Sequence, residues 1–280
     1  MNPLLSWAAK RPELLLPVFF LSLFLHSYGQ SPMIDARERA LGNIYSVGTN
    51  SIPVSLNPGA LGNVKSHNYN ISHARPYLVR DLGLSSLSVC LPTGRGSFRL
   101  GAATLGINHF NIYNWSIDYG LRLSNSLSAG VTFSYSNIAV NGEWNYSWRI
   151  NPGLGIDFRP SEKSSIGILI NNPFTIGNQP GYGPLEPSLL ALGASYEIYK
   201  ATWCLVEVAM SSKGNICLKG ALEYVMKSGP ALRGGFSTDP YMLTFGSAYK
   251  LGNVMTDVGF CYTGFRGFTP SITLRYFPDR

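Results

Sequence analysis

From about residue 66 onward, apolar and polar residues alternate one for one over segments nine to eleven residues long. Between 113 and 123, Tyr113, Trp115, Ile117, Tyr119, Leu121 and Leu123 fall on one side, with Asn114, Ser116, Asp118, Gly120 and Arg122 on the other. Leu127, Ala129, Val131, Phe133 and Tyr135 repeat the pattern against Ser128, Gly130, Thr132 and Ser134. A period of two means β-strands with one apolar and one polar face. A soluble sandwich alternates too, but its strands commonly run about five or six residues. A tilted strand that crosses a bilayer needs about nine to eleven. Aromatic residues also gather toward the ends of several apolar faces, as interfacial girdles do.

About fourteen such segments are expected, near 66–74, 82–91, 97–107, 110–122, 127–139, 146–158, 164–171, 188–199, 201–210, 215–226, 230–236, 241–250, 254–263 and 268–277. An even number closes an antiparallel barrel with both of its ends on one side. Every second connection is short and turn-like: Pro92-Thr93-Gly94, Ser124-Asn125-Ser126, Pro160-Ser161-Glu162-Lys163, Lys200, Lys227-Ser228-Gly229 and Leu251-Gly252-Asn253. These read as periplasmic turns, and the longest connection, Asn172 to Pro187, falls in the opposite, extracellular set. The fold class is therefore all-β, a closed antiparallel transmembrane barrel, over residues 65–280.

Composition agrees. Only 13% of the residues are charged, against about a quarter in soluble domains, and no internal run approaches the roughly 18 apolar residues of a membrane helix. A β-sandwich remains open on composition alone. Lys10 and Arg11, the apolar run Leu14 to Leu25 and the small-residue exit at Ser27, Tyr28 and Gly29 read as a signal peptide over residues 1–29. This points to integral placement in the outer membrane of a Gram-negative bacterium, with membrane lipid as a partner. The formal charge of +7 is scattered rather than blocked, which gives no nucleic-acid footprint. His67, His73 and His109 lie in no nucleophile or metal motif, so neither an enzyme nor a cofactor is expected. Cys90, Cys204, Cys217 and Cys261 lack metal-like spacing and read as small apolar fillers inside strands, with disulfides a minor alternative.

The polar face is inward. It carries Arg99, Asp118, Arg149, Asp157, Glu197, Glu207, Lys219, Glu223, Asp257 and Arg275, and both signs are present, which points to pairing across the lumen. It also carries Gly101, Gly130, Gly153, Gly155, Gly167, Gly193, Gly246 and Gly259. Glycine within a strand marks a place where another backbone approaches. Residues 30–64, which lack alternation, are the candidate for that backbone, as a hatch inside the lumen.

Within that segment, Ala36-Arg37, then Ala40-Leu41-Gly42, then Asn57-Pro58-Gly59-Ala60-Leu61 precede the barrel. With Asn171-Asn172-Pro173-Phe174, Ala221-Leu222-Glu223-Tyr224, Leu232-Arg233-Gly234-Gly235-Phe236 and Leu274-Arg275-Tyr276-Phe277, this pattern resembles the FadL/PorV-like outer-membrane family. It is most similar to the PorV/PorQ-like branch of Bacteroidetes. The resemblance implies a hatch whose motif residues here are Arg37, Arg39, Gly42, Asn57, Pro58 and Gly59. It also implies one of two roles. The favoured one is association with protein secretion by the type IX machinery, whose proteins would be partners. The alternative is a FadL-like channel for the uptake of hydrophobic small molecules.

Overall fold

A computed structural model describes residues 35–49, 56–107, 109–140, 143–178, 188–226 and 229–278. The signal-peptide reading and the Lys227-Ser228 pair lie outside these residues. The wall strands are β1 (Asn68–Ala74), β2 (Gly83–Pro92), β3 (Gly96–Ile107), β4 (Phe110–Arg122), β5 (Leu127–Val140), β6 (Glu143–Ser161) and β7 (Ser164–Asn171). A short β8 (Ile176–Asn178) follows, and then β9 (Leu189–Tyr199), β10 (Thr202–Ser211), β11 (Ile216–Val225) and β12 (Ala231–Thr238). The last three are β13 (Tyr241–Leu251), β14 (Val254–Thr263) and β15 (Gly267–Tyr276). Among the described residues all fifteen join one antiparallel sheet. β8 pairs only with β6, so fourteen strands form the wall.

The sheet closes where β1 meets β15, with Tyr69 opposite Tyr276. The chain enters β1 and leaves β15 at the end that also holds the short turns, here called the turn end; the other is the loop end. The expected segments coincide with the observed strands to within about three residues at each boundary. β8 was not expected. It lies in the stretch read as a plain loop, and three residues, Ile176-Gly177-Asn178, are too few to display a period. Gly177 pairs with Arg149, so β6 is flanked beyond the end of β7.

Side chains sort as the pleat requires. On β4, Trp115 and Ile117 are 41% and 58% exposed, while Ser116 and Asp118 between and beyond them are 8% and 1% exposed. On β10, Val206, Val208 and Met210 face out, and Leu205, Glu207 and Ala209 are buried inside. Exposed Leu100, Ile117 and Phe133 stand side by side in register on β3, β4 and β5, part of the apolar belt that a transmembrane barrel shows to lipid. Aromatic pairs flank the belt: Phe98–Tyr119 and Tyr69–Tyr276 toward the turn end, Tyr262–Phe268 toward the loop end. Among the described residues no helix is long and apolar enough to cross a membrane. The four cysteines are free, which leaves the filler reading and removes the disulfide one.

Candidate functional site

The described N-terminal residues lie against the inner wall. Asp35 caps a short helix, α1 (Ala36–Ala40), by accepting a hydrogen bond from the Glu38 N–H, and Glu38 three residues on completes an Asp-x-x-Glu start signal. Asn57 accepts from the Gly59 N–H and opens a 3-10 turn, Pro58–Asn63. The α1 helix touches β12 to β15 and β1, whereas the 3-10 turn touches β3 to β6, so the two pieces press on opposite parts of the wall.

Close approach of the N-terminal segment accounts for Gly130, Gly155, Gly167, Gly193, Gly246 and Gly259 among the inward glycines. A Cβ on Gly59 would stand 2.8 Å from the Gly155 carbonyl oxygen. Gly130 and Gly120 lie under Pro58, Gly167 and Gly193 under Ser46 and Val47, Gly246 under Ala40 and Gly259 under Ala36. Gly42 adopts φ +69 with its backbone against Phe236 and Gly235. Gly153 differs, because its neighbours are Asn171 and Ile170 of the wall itself.

Charge then ties the segment down. Arg37 donates through Nε to Glu223 Oε1 at 3.0 Å and through Nη2 to Glu223 Oε2 at 2.8 Å. Thr49 donates to the same Oε2. Arg233 bridges Glu223 and Asp257, and Arg275 bridges Asp257 and Asp35. The result is one buried, alternating chain of charges: Arg37, Glu223, Arg233, Asp257, Arg275, Asp35. Burial opposes the charged forms at both ends of it. Glu223 nevertheless holds the Arg37 pKa above its ordinary value, and Arg275, with the Glu38 amide, holds that of Asp35 below its own.

A second cluster centres on Glu207, which accepts from the Tyr45 and Ser46 amides and the Ser46 hydroxyl. Lys219 donates to Glu207 and to the Asn43 carbonyl, with its Nζ 3.5 Å from the Tyr45 ring centroid. Asp118 accepts from Arg99 and Ser116, and Asp157 from Asn63, Ser165 and Arg159.

Of the ten inward charges expected, Glu223, Asp257 and Arg275 thus share one network, Glu207 and Lys219 another, and Arg99 and Asp118 a third. Asp157 meets the 3-10 turn, and Arg149 is buried opposite Ser136. Glu197 departs from the cross-lumen pairing expected of it. It accepts from the Ala201 N–H and so braces its own turn, because it sits at the end of β9. Of the six motif residues, Arg37 carries the ionic contact, Arg39 is fully buried, and Gly42, Asn57, Pro58 and Gly59 make the backbone approaches. Asp35, Tyr45, Ser46, Asn63 and Arg233 were missed. Arg233 had a signal, since it shares inward parity with Ala231 and Gly235.

Toward the loop end the inner face carries two aliphatic rows, separated by buried Ser147 and Arg149 of β6. Leu84, Leu105, Ile112 and Ile138 stand next to one another in register on β2 to β5. Leu169, Ala191, Ala209 and Cys217 form a matching row on β7, β9, β10 and β11, with Tyr45 and Leu56 packed on it.

The sequence matches no protein-family model and no curated protein. Solved structures do match. The CymD monoaromatic hydrocarbon channel superposes with a TM-score of 0.63 at 13% identity, over 88% of this chain and 98% of that one. The chain has the fold of these channels. The Ralstonia pickettii toluene transporter TbuX gives 0.61 at 11% identity, with 88% and 98% covered. A Pseudomonas aeruginosa FadL homologue gives 0.59 at 9%, with 89% and 99% covered.

Proposed function

We propose that the protein is an outer-membrane channel that passes small hydrophobic molecules, with residues 30–64 as its hatch. The observation that carries this reading is the aliphatic row Leu84, Leu105, Ile112 and Ile138 on an inward face. The lumen of a water-filled porin is polar, and an aliphatic lining favours a solute that leaves water readily. The solved relatives, named as hydrocarbon channels and a toluene transporter, support the same direction. The secretion-linked role has no observation of its own among the described residues, and those relatives do not favour it.

The test is uptake in a Gram-negative host that lacks its own channel for such compounds. Cells carrying the protein should take up radiolabelled oleate or toluene faster than control cells, with no gain for arabinose. Ile112→Asp with Leu105→Asp should remove the gain while the barrel keeps its heat-modifiable mobility. An equal gain for arabinose would identify an open porin instead, and no gain for either probe would overturn the reading.

A further inference from the structure

The start of the β1–β2 connection, residues 75–82, leans on the inner edge of β15. The Arg75 N–H donates to the Pro270 carbonyl and the Tyr77 N–H to Thr269 Oγ1 at 3.0 Å. Thr269 has inward parity on β15 and is fully buried, and Pro76 is buried as well. The residues beside that contact are shut off too. Cys261, opposite Thr269 in register, is 0% exposed although it lies two residues from the loop end of β14. Met242, at the loop end of β13, is 3% exposed, with its sulfur against the Cys261 thiol and the Asn43 amide of the N-terminal segment.

Three non-glycine residues of this connection hold left-handed backbone angles: Tyr77 (φ 55), Leu78 (φ 55) and Asp81 (φ 70). Such angles are unfavourable for residues with a Cβ, and they persist only where surrounding contacts impose them. Here the contacts are the Tyr77 N–H bond to Thr269, the burial of Pro76 and the turn bonds from the Leu78 N–H to the Arg75 carbonyl and from the Val79 N–H to the Pro76 carbonyl. The outer surface of the connection is apolar, with Leu78 and Val79 58% and 46% exposed.

We infer that residues 75–82 form a strained lid over the β14–β15 side of the lumen, seated on Thr269 and displaced when an apolar molecule enters from the loop end. Unseating the Tyr77 N–H releases the left-handed angles, so the backbone strain favours opening while the seat opposes it. Leu78 and Val79 give an apolar solute a first contact on the lid. The gating role rests on the channel reading above; the closed geometry does not.

The test uses the protein with Cys90, Cys204 and Cys217 changed to Ser, which leaves Cys261 as the sole thiol beneath the lid. In the reconstituted protein, a membrane-impermeant maleimide should label Cys261 slowly. Thr269→Val, which removes the acceptor of the Tyr77 N–H, should raise the rate more than tenfold while heat-modifiable mobility is kept, and added toluene should raise it in the parent only. Rapid labelling with the lid intact, or an unchanged rate in the Thr269→Val variant, would overturn the lid itself. Lid-dependent labelling that toluene leaves unchanged would keep the lid and sink its part in admitting solute. As thiol labelling does not read transport, a failed uptake assay leaves the lid result standing.

Discussion

Arg37 and Glu223, 186 residues apart in the chain, meet through two hydrogen bonds inside the barrel, with 1% of either side chain exposed. A buried pair of this kind contributes little net stability against an apolar replacement, but removing one partner strands the other charge. Its effect is to fix where the N-terminal segment sits. Glu223→Ala should therefore destabilise the folded protein by about 3–5 kcal/mol, measured by urea unfolding from vesicles. The double variant with Arg37→Met should lose less than the two single losses added together. Simple additivity would mean that the two side chains do not interact.

Asp35 at the far end of the same network gives a pH dependence. Its folded pKa is depressed, so its contribution is present above the unfolded value and is lost as pH falls through the folded one. The unfolded value lies near 4. Single-channel conductance should stay low from neutral pH down to about 5 and rise only below about 4. Asp35→Asn should show raised conductance already at neutral pH and a weaker response to acid. A rise centred near neutrality would assign the response to another group.

How much of this was legible beforehand follows from range. Alternation is a local property, and the expected β4 at 110–122 and β7 at 164–171 match the observed strands residue for residue. Gly155 and Gly167 were legible as places of close approach because an inward glycine leaves a gap that something must fill. What filled it was legible only as a segment. That Pro58 meets Gly120 and Gly130, or that Asp35 reaches Arg275, depends on how an irregular chain threads a closed cylinder, and no period encodes that. Glu197 had the right parity and still escaped the lumen network, since parity gives the face and not the height.

The glycine contacts make a sharp contrast. A Cβ on Gly155 would collide with Asn57 and stand 2.7 Å from Pro58 Cδ, whereas one on Gly94 meets nothing within 4 Å. Gly155→Ala should cost about 1–3 kcal/mol through overpacking, and Gly94→Ala should stay within about 0.5 kcal/mol. The same unfolding assay checks both. A neutral Gly155→Ala would show that the Asn57-Pro58-Gly59 turn does not rest on β6.

Removing the segment should open the lumen. Deletion of residues 33–62 takes away Arg37, the Ser46 contacts to Glu207 and the whole Pro58 approach. The truncated barrel, checked for insertion by heat-modifiable mobility, should conduct ions far better than the parent in planar bilayers. Equal conductance, with the segment freely cleaved by protease in the intact protein, would make it a tail outside the barrel.

The apolar belt sets the last expectation, through depth. Ile117 is 58% exposed and lies between Leu100 and Phe133 in register, both of them exposed and apolar, so its surroundings on three strands belong to the lipid-facing belt. Leu123 is almost equally exposed, at 57%, but it follows the last residue of β4 at the turn end. Exposure alone predicts the same response to a charge at either place; burial in lipid predicts different ones. Ile117→Arg should cost about 2–4 kcal/mol and Leu123→Arg about 0–1 kcal/mol, because an arginine at the rim reaches headgroups and water. Reversible unfolding from phospholipid vesicles reads both numbers. Equal costs would place the two residues at the same depth and would contradict a belt that ends at the turns.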